Sequence, residues 1–252
     1  SPSLRALTIW VSVKRVFFIL LLKSKHLCPV LSCLIFWDTY TDTIVLLTGF
    51  GTASPRLDFE PLIRELDKKY TVITIEPFGY GLSSETNRER NLNNMAEEIH
   101  EVVKQLNLNR FILMGHSIAG LYSLAYINKY PGKATAFVGI DTSVPTQPWP
   151  GYNSAPLDFL AKAGVMRAFF KFFGDEKPKD ESEAHRFEQK HMITMKVTGN
   201  NTLGREATSL SNSFKDAKAS FPERFTGFII CRRKLGCQRL DRTAPTASQQ
   251  RG

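Results

Sequence analysis

The sequence predicts an α/β fold, a mostly parallel sheet with helices on both faces. Three observations predict it. Short apolar runs alternate with helix-period segments between about residues 43 and 140. Those runs are continuous rather than alternating, so each must be buried on both faces, which a parallel sheet clad in helices provides. Unusual turns follow Leu47, Glu76 and Met114. All three fall at the carboxyl ends of strands, the edge at which such sheets bind ligands.

The elements follow in order. "TIVLL" (Thr43–Leu47) is β-branched and apolar, and ends in Thr48-Gly49-Phe50-Gly51. Phe59, Leu62, Ile63 and Leu66 then fall on one helix face, with Ser54-Pro55 as the start signal. "YTVITIE" (Tyr70–Glu76) is the second strand, and "PFGYGLSS" is the loop after it. Met95, Ile99, Val102, Val103 and Leu106 make an amphipathic helix, with Asn94 and Glu97 in capping-box spacing. "RFILM" (Arg110–Met114) is the third strand. Ser117 to Lys129 reads as a helix that stops at Tyr130-Pro131-Gly132. "AFVGI" (Ala136–Ile140) is the fourth strand. The alternation then fails. Residues 147–221 carry helical patterns and are expected to form a helical lid over the strand ends.

The two ends differ from this core. Residues 1–42 hold "VFFILLLKSKHLCPVLSCLIFW", broken by Lys23, Lys25, His26 and Pro29. No run reaches the roughly 18 clean apolar residues of a spanning helix. Residues 10–37 read as a damaged anchor giving membrane association, or as a hydrophobic strand region. The sequence leaves the location unknown, with a cytoplasmic or a membrane-associated place as the two expectations. Residues 222–252 form a basic, irregular tail in which "FTGFIIC" is the one strand-like remnant. The formal charge of +9 sits mostly at these ends. Residues 1–42 hold five Lys or Arg against two Asp or Glu, and residues 222–252 hold seven against two. The core between is close to neutral, and no basic face argues for nucleic acid. Cys28, Cys33, Cys231 and Cys237 also lie at the ends, expected as free thiols rather than metal ligands.

The chemistry is in "FILMGHSIAG". A buried strand runs into a serine among small residues, the pattern of a sharp strand–turn–helix that exposes a nucleophile. Gly115 and Ala119 flank Ser117 at the two positions that must be small, and Gly120 follows. The helix start supplies N–H groups for a developing oxyanion. Ile118 is expected to give one and Phe50, in the loop after the first strand, the other. The alternative for Ser117 is a simple capping role. His116 is too close in sequence to act as its base and is expected to line the turn.

"GHSIAG" resembles the nucleophile elbow of the α/β-hydrolase superfamily, with Ala119 in place of the second glycine of G-x-S-x-G. "LLTGFG" resembles the family's oxyanion loop, with Thr48 where histidine is common. "EPFGYGLSS" resembles the loop after the next strand, with Glu76 for aspartate. "GIDTSVP" resembles the segment beyond the strand that follows the elbow helix. The resemblance covers about residues 43–221. It implies an esterase-, lipase- or peptidase-like serine hydrolase acting on a small-molecule ester or amide, with no metal and no cofactor. It implies an acid for which Asp141 is the candidate, a turn role being the alternative. It also implies a histidine after the last strand. Only His185 and His191 follow Ser117, six residues apart in a charged helix, and both read as solvated. No triad histidine is evident. The chain is therefore expected to be incomplete at the C-terminus and impaired, or else a non-catalytic hydrolase-like binding protein.

Overall fold

A computed structural model describes residues 7–13, 16–22, 42–145, 180–217, 226–230 and 238–240. The described strands are β1 (Leu7–Val13), β2 (Val16–Leu22), β3 (Thr43–Leu47), β4 (Thr71–Glu76), β5 (Phe111–His116), β6 (Ala134–Ile140), β7 (Thr226–Ile230) and β8 (Gln238–Leu240). They form one sheet in the order β2-β1-β4-β3-β5-β6-β7-β8. The centre from β4 to β7 is parallel, while β1 runs antiparallel to β2 and β4, and β8 antiparallel to β7. The helices are α1 (Pro55–Asp58), α2 (Glu60–Leu66), α3 (Leu92–Gln105), α4 (Ala119–Lys129), α5 (Glu181–Val197) and α6 (Asn201–Asp216).

Side-chain alternation along the strands divides the core in two. Ile44 and Leu46 of β3, Val72 of β4 and Met114 of β5 meet Ile63 of α2 on one face. Val45, Leu47, Ile73, Ile75 and Leu113 meet α3, α4 and α6 on the other. Both faces are apolar because both are covered, which explains why the strands read as unbroken hydrophobic runs. Each fully buried Leu, Ile or Val contributes about 1.5–3 kcal/mol by leaving water.

The helix expected from Ser54-Pro55 to Leu66 is two helices. Pro61 lacks the N–H that would continue α1 past Asp58, so the chain breaks at Phe59 (φ −104°, ψ 12°) and α2 starts anew. The cap of α3 is Asn91, whose Oδ1 accepts the Asn94 N–H at 2.9 Å. The expected Asn94–Glu97 box does not form, because Glu97 instead pairs with Lys129 and Arg88. Seven-residue strands occupy part of the stretch proposed as an anchor, β1 pairing Thr8 with Glu76 and Ser12 with Val72. Its remaining residues, and all four cysteines, lie outside the described residues. Among the described residues no helix is long and apolar enough to cross a membrane. Beyond residue 222 the sheet continues, with β7 inside "FTGFIIC" and β8 in a segment that shows no strand period. Three residues held by main-chain pairing leave no periodicity to read.

Candidate active site

β5 delivers His116 and Ser117 to the carboxyl edge of the sheet, between β3 and β6. Ser117 adopts φ +53°, so the helix expected from Ser117 begins instead at Ala119. Its N–H donates to the Ile140 carbonyl at 3.3 Å, and its carbonyl accepts from Gly120 at 3.1 Å and Ser143 at 2.9 Å. The turn is closed from three sides. A Cβ on Gly115 would sit 3.2 Å from the Cβ of Ala119, so alanine fits at 119 only because its partner is glycine. A Cβ on Gly120 would lie 2.5 Å from the Ser143 carbonyl oxygen. A Cβ on Gly49 would lie 2.9 Å from both Ser117 Cβ and His116 Nδ1, so the loop after β3 rests directly on the turn.

Among the described residues, no acceptor takes the N–H of Phe50 or of Ile118. Phe50 is 36% exposed, whereas the Ile118 side chain is buried in the core. His116 packs edge-on against Phe59, with ring centroids 5.4 Å apart. Among the described residues its buried Nδ1 has no hydrogen-bond partner. Asp141 follows β6 directly, is exposed and has φ +46°. His185 is exposed and its Nε2 lies 3.0 Å from Gln189 Nε2, while His191 packs near Phe187. No histidine among the described residues hydrogen-bonds Ser117. Among the same residues no cluster of His, Cys, Asp or Glu could hold a metal ion.

Glu76 organises the second loop. Its carboxylate is fully buried and accepts from Ser54 Oγ at 2.5 Å and from the Leu82 N–H at 2.9 Å. Gly81 (φ +49°) crosses so closely that a Cβ there would fall inside the carboxylate. Both described helices of the expected lid attach to this region. From α5, Lys196 Nζ donates to the Gly81 carbonyl at 2.9 Å and Lys190 pairs with Asp58 at 2.5 Å. Beside α6, Asn200 Nδ2 donates to the Gly79 carbonyl at 2.8 Å, and Thr202 Oγ1 accepts the Thr86 N–H at 2.8 Å. A cleft of about 650 Å³ lies at the far end of α4, lined by Asn91, Asn93, Lys129 and Asp216. The length of α4 separates it from Ser117.

Sequence reasoning missed a buried polar cluster beneath the loop after β3. Arg90 is 0% exposed and its Nη1 donates to Glu98 Oε1, while its Nε lies 4.0 Å from Glu206 Oε2. The Tyr122 hydroxyl donates to Glu206 Oε1 at 2.6 Å. The buried Tyr80 hydroxyl accepts the Gly51 N–H at 3.4 Å. Burial pushes the carboxyls of Glu98 and Glu206 above their ordinary range, and Arg90 opposes that rise. Burial likewise raises both tyrosines, and Glu206 adds to it. For Arg90, burial works against the charge, and Glu98 and Glu206 outweigh it. Among the described residues Thr48 Oγ1 is buried without a partner, and it borders a cavity of about 20 Å³ shared with Glu98 and Tyr122.

A serine held at positive φ between strand and helix, on the binding edge of a parallel sheet, defines the hydrolase class of α/β protein. A sequence profile described as alpha/beta hydrolase fold matches residues 42–185, and the chain belongs to that family. It is 29% identical over 124 residues to the uncharacterized protein YbdG of Bacillus subtilis, covering 49% of this chain and 38% of that one. It is 31% identical over 97 residues to 2-(acetamidomethylene)succinate hydrolase of Mesorhizobium japonicum, covering 38% and 35%. The chain thus spans well under half the length of both relatives. Its structure resembles the enol-lactonase of Burkholderia xenovorans with a TM-score of 0.54 at 15% identity, over 84% of this chain and 71% of that one, a likeness of fold.

Proposed function

We propose that the protein is a serine hydrolase that cleaves an ester or amide of a small substrate, with Ser117 as nucleophile. The observation that carries this reading is the Ser117 backbone, at φ +53° on a residue that is not glycine. That conformation costs about 1 kcal/mol or more and persists only where the surroundings impose it. Gly49, Gly115 and Gly120 impose it here. A capping serine would need none of this.

The chemistry follows from the arrangement. Ser117 Oγ attacks the carbonyl carbon as its proton leaves to a base, and the carbonyl π pair moves to oxygen. The N–H groups of Ile118 and Phe50 hold that oxyanion. Collapse expels the alcohol or amine, which takes the proton, and water then releases the acyl group by the same route. Asp141, beside the carbonyl that anchors Ser117, is the proposed acid. The base is a histidine, for which His185 and His191 are the residues after Ser117 to test. The Mesorhizobium relative's name supports keeping an amide among the candidate bonds. Residues 147–221 act as a lid, a role supported by the bonds from Lys196 and Asn200 to the loop after β4.

A second reading, a hydrolase-like binding protein, is favoured by the lack of a described histidine on Ser117. Intact-mass analysis after exposure to a fluorophosphonate separates the two. One adduct, lost in Ser117→Ala, supports the hydrolase. No adduct on folded protein supports the binding protein.

A further inference from the structure

We infer that the small cavity beneath the loop after β3 is a binding site for one water molecule, which bridges Thr48 Oγ1 and Glu98 Oε2. The site goes beyond the proposed chemistry and stands whether or not Ser117 is a nucleophile.

The orphaned oxygens are the first ground. Thr48 and Glu98 are 4% and 5% exposed. Among the described residues neither Thr48 Oγ1 nor Glu98 Oε2 has a hydrogen-bond partner. A buried oxygen left unpaired weakens a fold, and native proteins meet such groups with a protein partner or an ordered water. Glu98 Oε1 is committed to Arg90 Nη1, which leaves Oε2 as the oxygen to be served. Arg90 Nε and Nη2 and Glu206 Oε2 are also without partners among the described residues, but neither Arg90 nor Glu206 lines the cavity.

The cavity is the second ground. Thr48, Glu98 and Tyr122 line one space of about 20 Å³. A water needs about 10–15 Å³ and two to four polar partners. The space therefore takes one molecule, and nothing as large as an organic ligand. A hole walled only by apolar groups stays dry. This one has two unserved oxygens on residues of its wall.

The hydrogen count is the third ground. A threonine hydroxyl has one hydrogen to give, and an ionised carboxylate only accepts. A water with two hydrogens and two lone pairs serves both, accepting from Thr48 and donating to Glu98 Oε2. Its second hydrogen is left for Tyr122, whose own hydrogen goes to Glu206 Oε1 at 2.6 Å and whose oxygen keeps its lone pairs. Every hydrogen of the chain then has an acceptor. That chain joins the first residue after β3 to Glu98 of α3, Tyr122 of α4 and Glu206 of α6. Thr48 immediately precedes Gly49, which rests on Ser117, so the water ties the root of the loop to the cluster beneath it.

The test is a crystal structure of the full chain that shows ordered waters, in wild type, Thr48→Val and Thr48→Ser, together with urea unfolding of wild type and Thr48→Val. Valine has the shape of threonine without its hydroxyl. In wild type one water should lie within about 2.6–3.2 Å of both Thr48 Oγ1 and Glu98 Oε2. Thr48→Ser should keep that water, and Thr48→Val should lose it. Urea unfolding gives the two states of the hydroxyl opposite signs. Bridged by water, its removal in Thr48→Val should lower the folding equilibrium constant about tenfold, the loss of one hydrogen bond. Left unpaired, the hydroxyl is a burden, and Thr48→Val would raise that constant. A dry cavity in wild type overturns the inference, as does a water within reach of only one of the two oxygens. So does a Thr48→Val protein that keeps the water in place, or one as stable as wild type or more so. Should Thr48→Val not fold, the wild-type and Thr48→Ser structures decide alone.

Discussion

Among the described residues Arg90 is the one buried cation of this cluster, and replacing it with methionine leaves Glu98 and Glu206, 5% and 1% exposed, without it. Breaking one side of a buried ion pair costs about 3–5 kcal/mol. The stranded carboxylates can escape part of that cost by taking up protons. Their folded-state pKa values already lie above the ordinary range through burial, and loss of Arg90 removes the main opposing influence. A carboxylate whose folded pKa lies above its unfolded value binds more protons folded than unfolded. Stability then falls as pH rises from the unfolded value through the folded one. The cost of Arg90→Met should therefore be about 3–5 kcal/mol at pH 8 and smaller by about 1–2 kcal/mol at pH 5.5. Thermal midpoints should drop by about 2–4 °C for each kcal/mol. Urea unfolding at the two pH values measures this directly. Adding Glu98→Gln should recover part of the loss at pH 8 and little at pH 5.5. A cost below about 1 kcal/mol, or one that does not change with pH, would refute the account of Arg90 as the charge that holds this cluster together.

Three further outcomes are expected. Ser117→Gly should raise stability by about 1 kcal/mol, because glycine adopts φ +53° without a Cβ penalty, and should abolish phosphonylation; a urea midpoint at or below wild type would show that the turn is unstrained. Gly81→Ala should destabilise by about 3 kcal/mol or more, since its Cβ would enter the Glu76 carboxylate at a positive φ; a midpoint shift under about 1 kcal/mol would show that the loop gives way freely. Glu97, hydrogen-bonded by Lys129 and Arg88, has its pKa lowered from 4.5 to about 2. Its contribution is present above 4.5 and is lost as pH falls through about 2. Glu97→Gln should thus be less stable than wild type at pH 6, with the gap closing near pH 2; a gap of constant size would rule the ion pairs out as its cause.

The sheet's centre was legible because burial on both faces writes itself into the sequence as unbroken apolar runs. β3, β4, β5 and β6 all carry that mark. β1 and β2 carry the same apolar composition, and composition cannot tell a sheet from a bilayer; they pair with each other, and the strand that joins β1 to the sheet, β4, pairs residues 60 or more positions away, as Ser12 with Val72. The break at Phe59 was readable in principle, since Pro61 stands inside the periodic stretch. The serine turn was readable because its requirements are local. Gly115, Ser117, Ala119 and Gly120 sit within one short stretch, each there for a steric reason the geometry repeats.

The cluster under the loop was not readable in that way, because no local rule links Tyr80, Arg90, Glu98, Tyr122 and Glu206. Yet each of its acids left a trace. Glu98 follows Met95 by three residues and precedes Val102 by four, on the apolar stripe of α3. Glu206 precedes Leu210 by four, on the buried face of α6 that also carries Phe214. A carboxylate on an apolar stripe is either a misfit or one end of a buried network, and two such stripes in one chain call for a shared cation. Arg90, one residue ahead of the α3 cap, is that cation. Acids where the helix period demands apolar residues, Glu98 on α3 and Glu206 on α6, mark the two carboxylates that flank Arg90 in the buried cluster. Motifs record the atoms that touch a substrate, whereas what holds those atoms still is distributed over the chain and written as exceptions to periodicity.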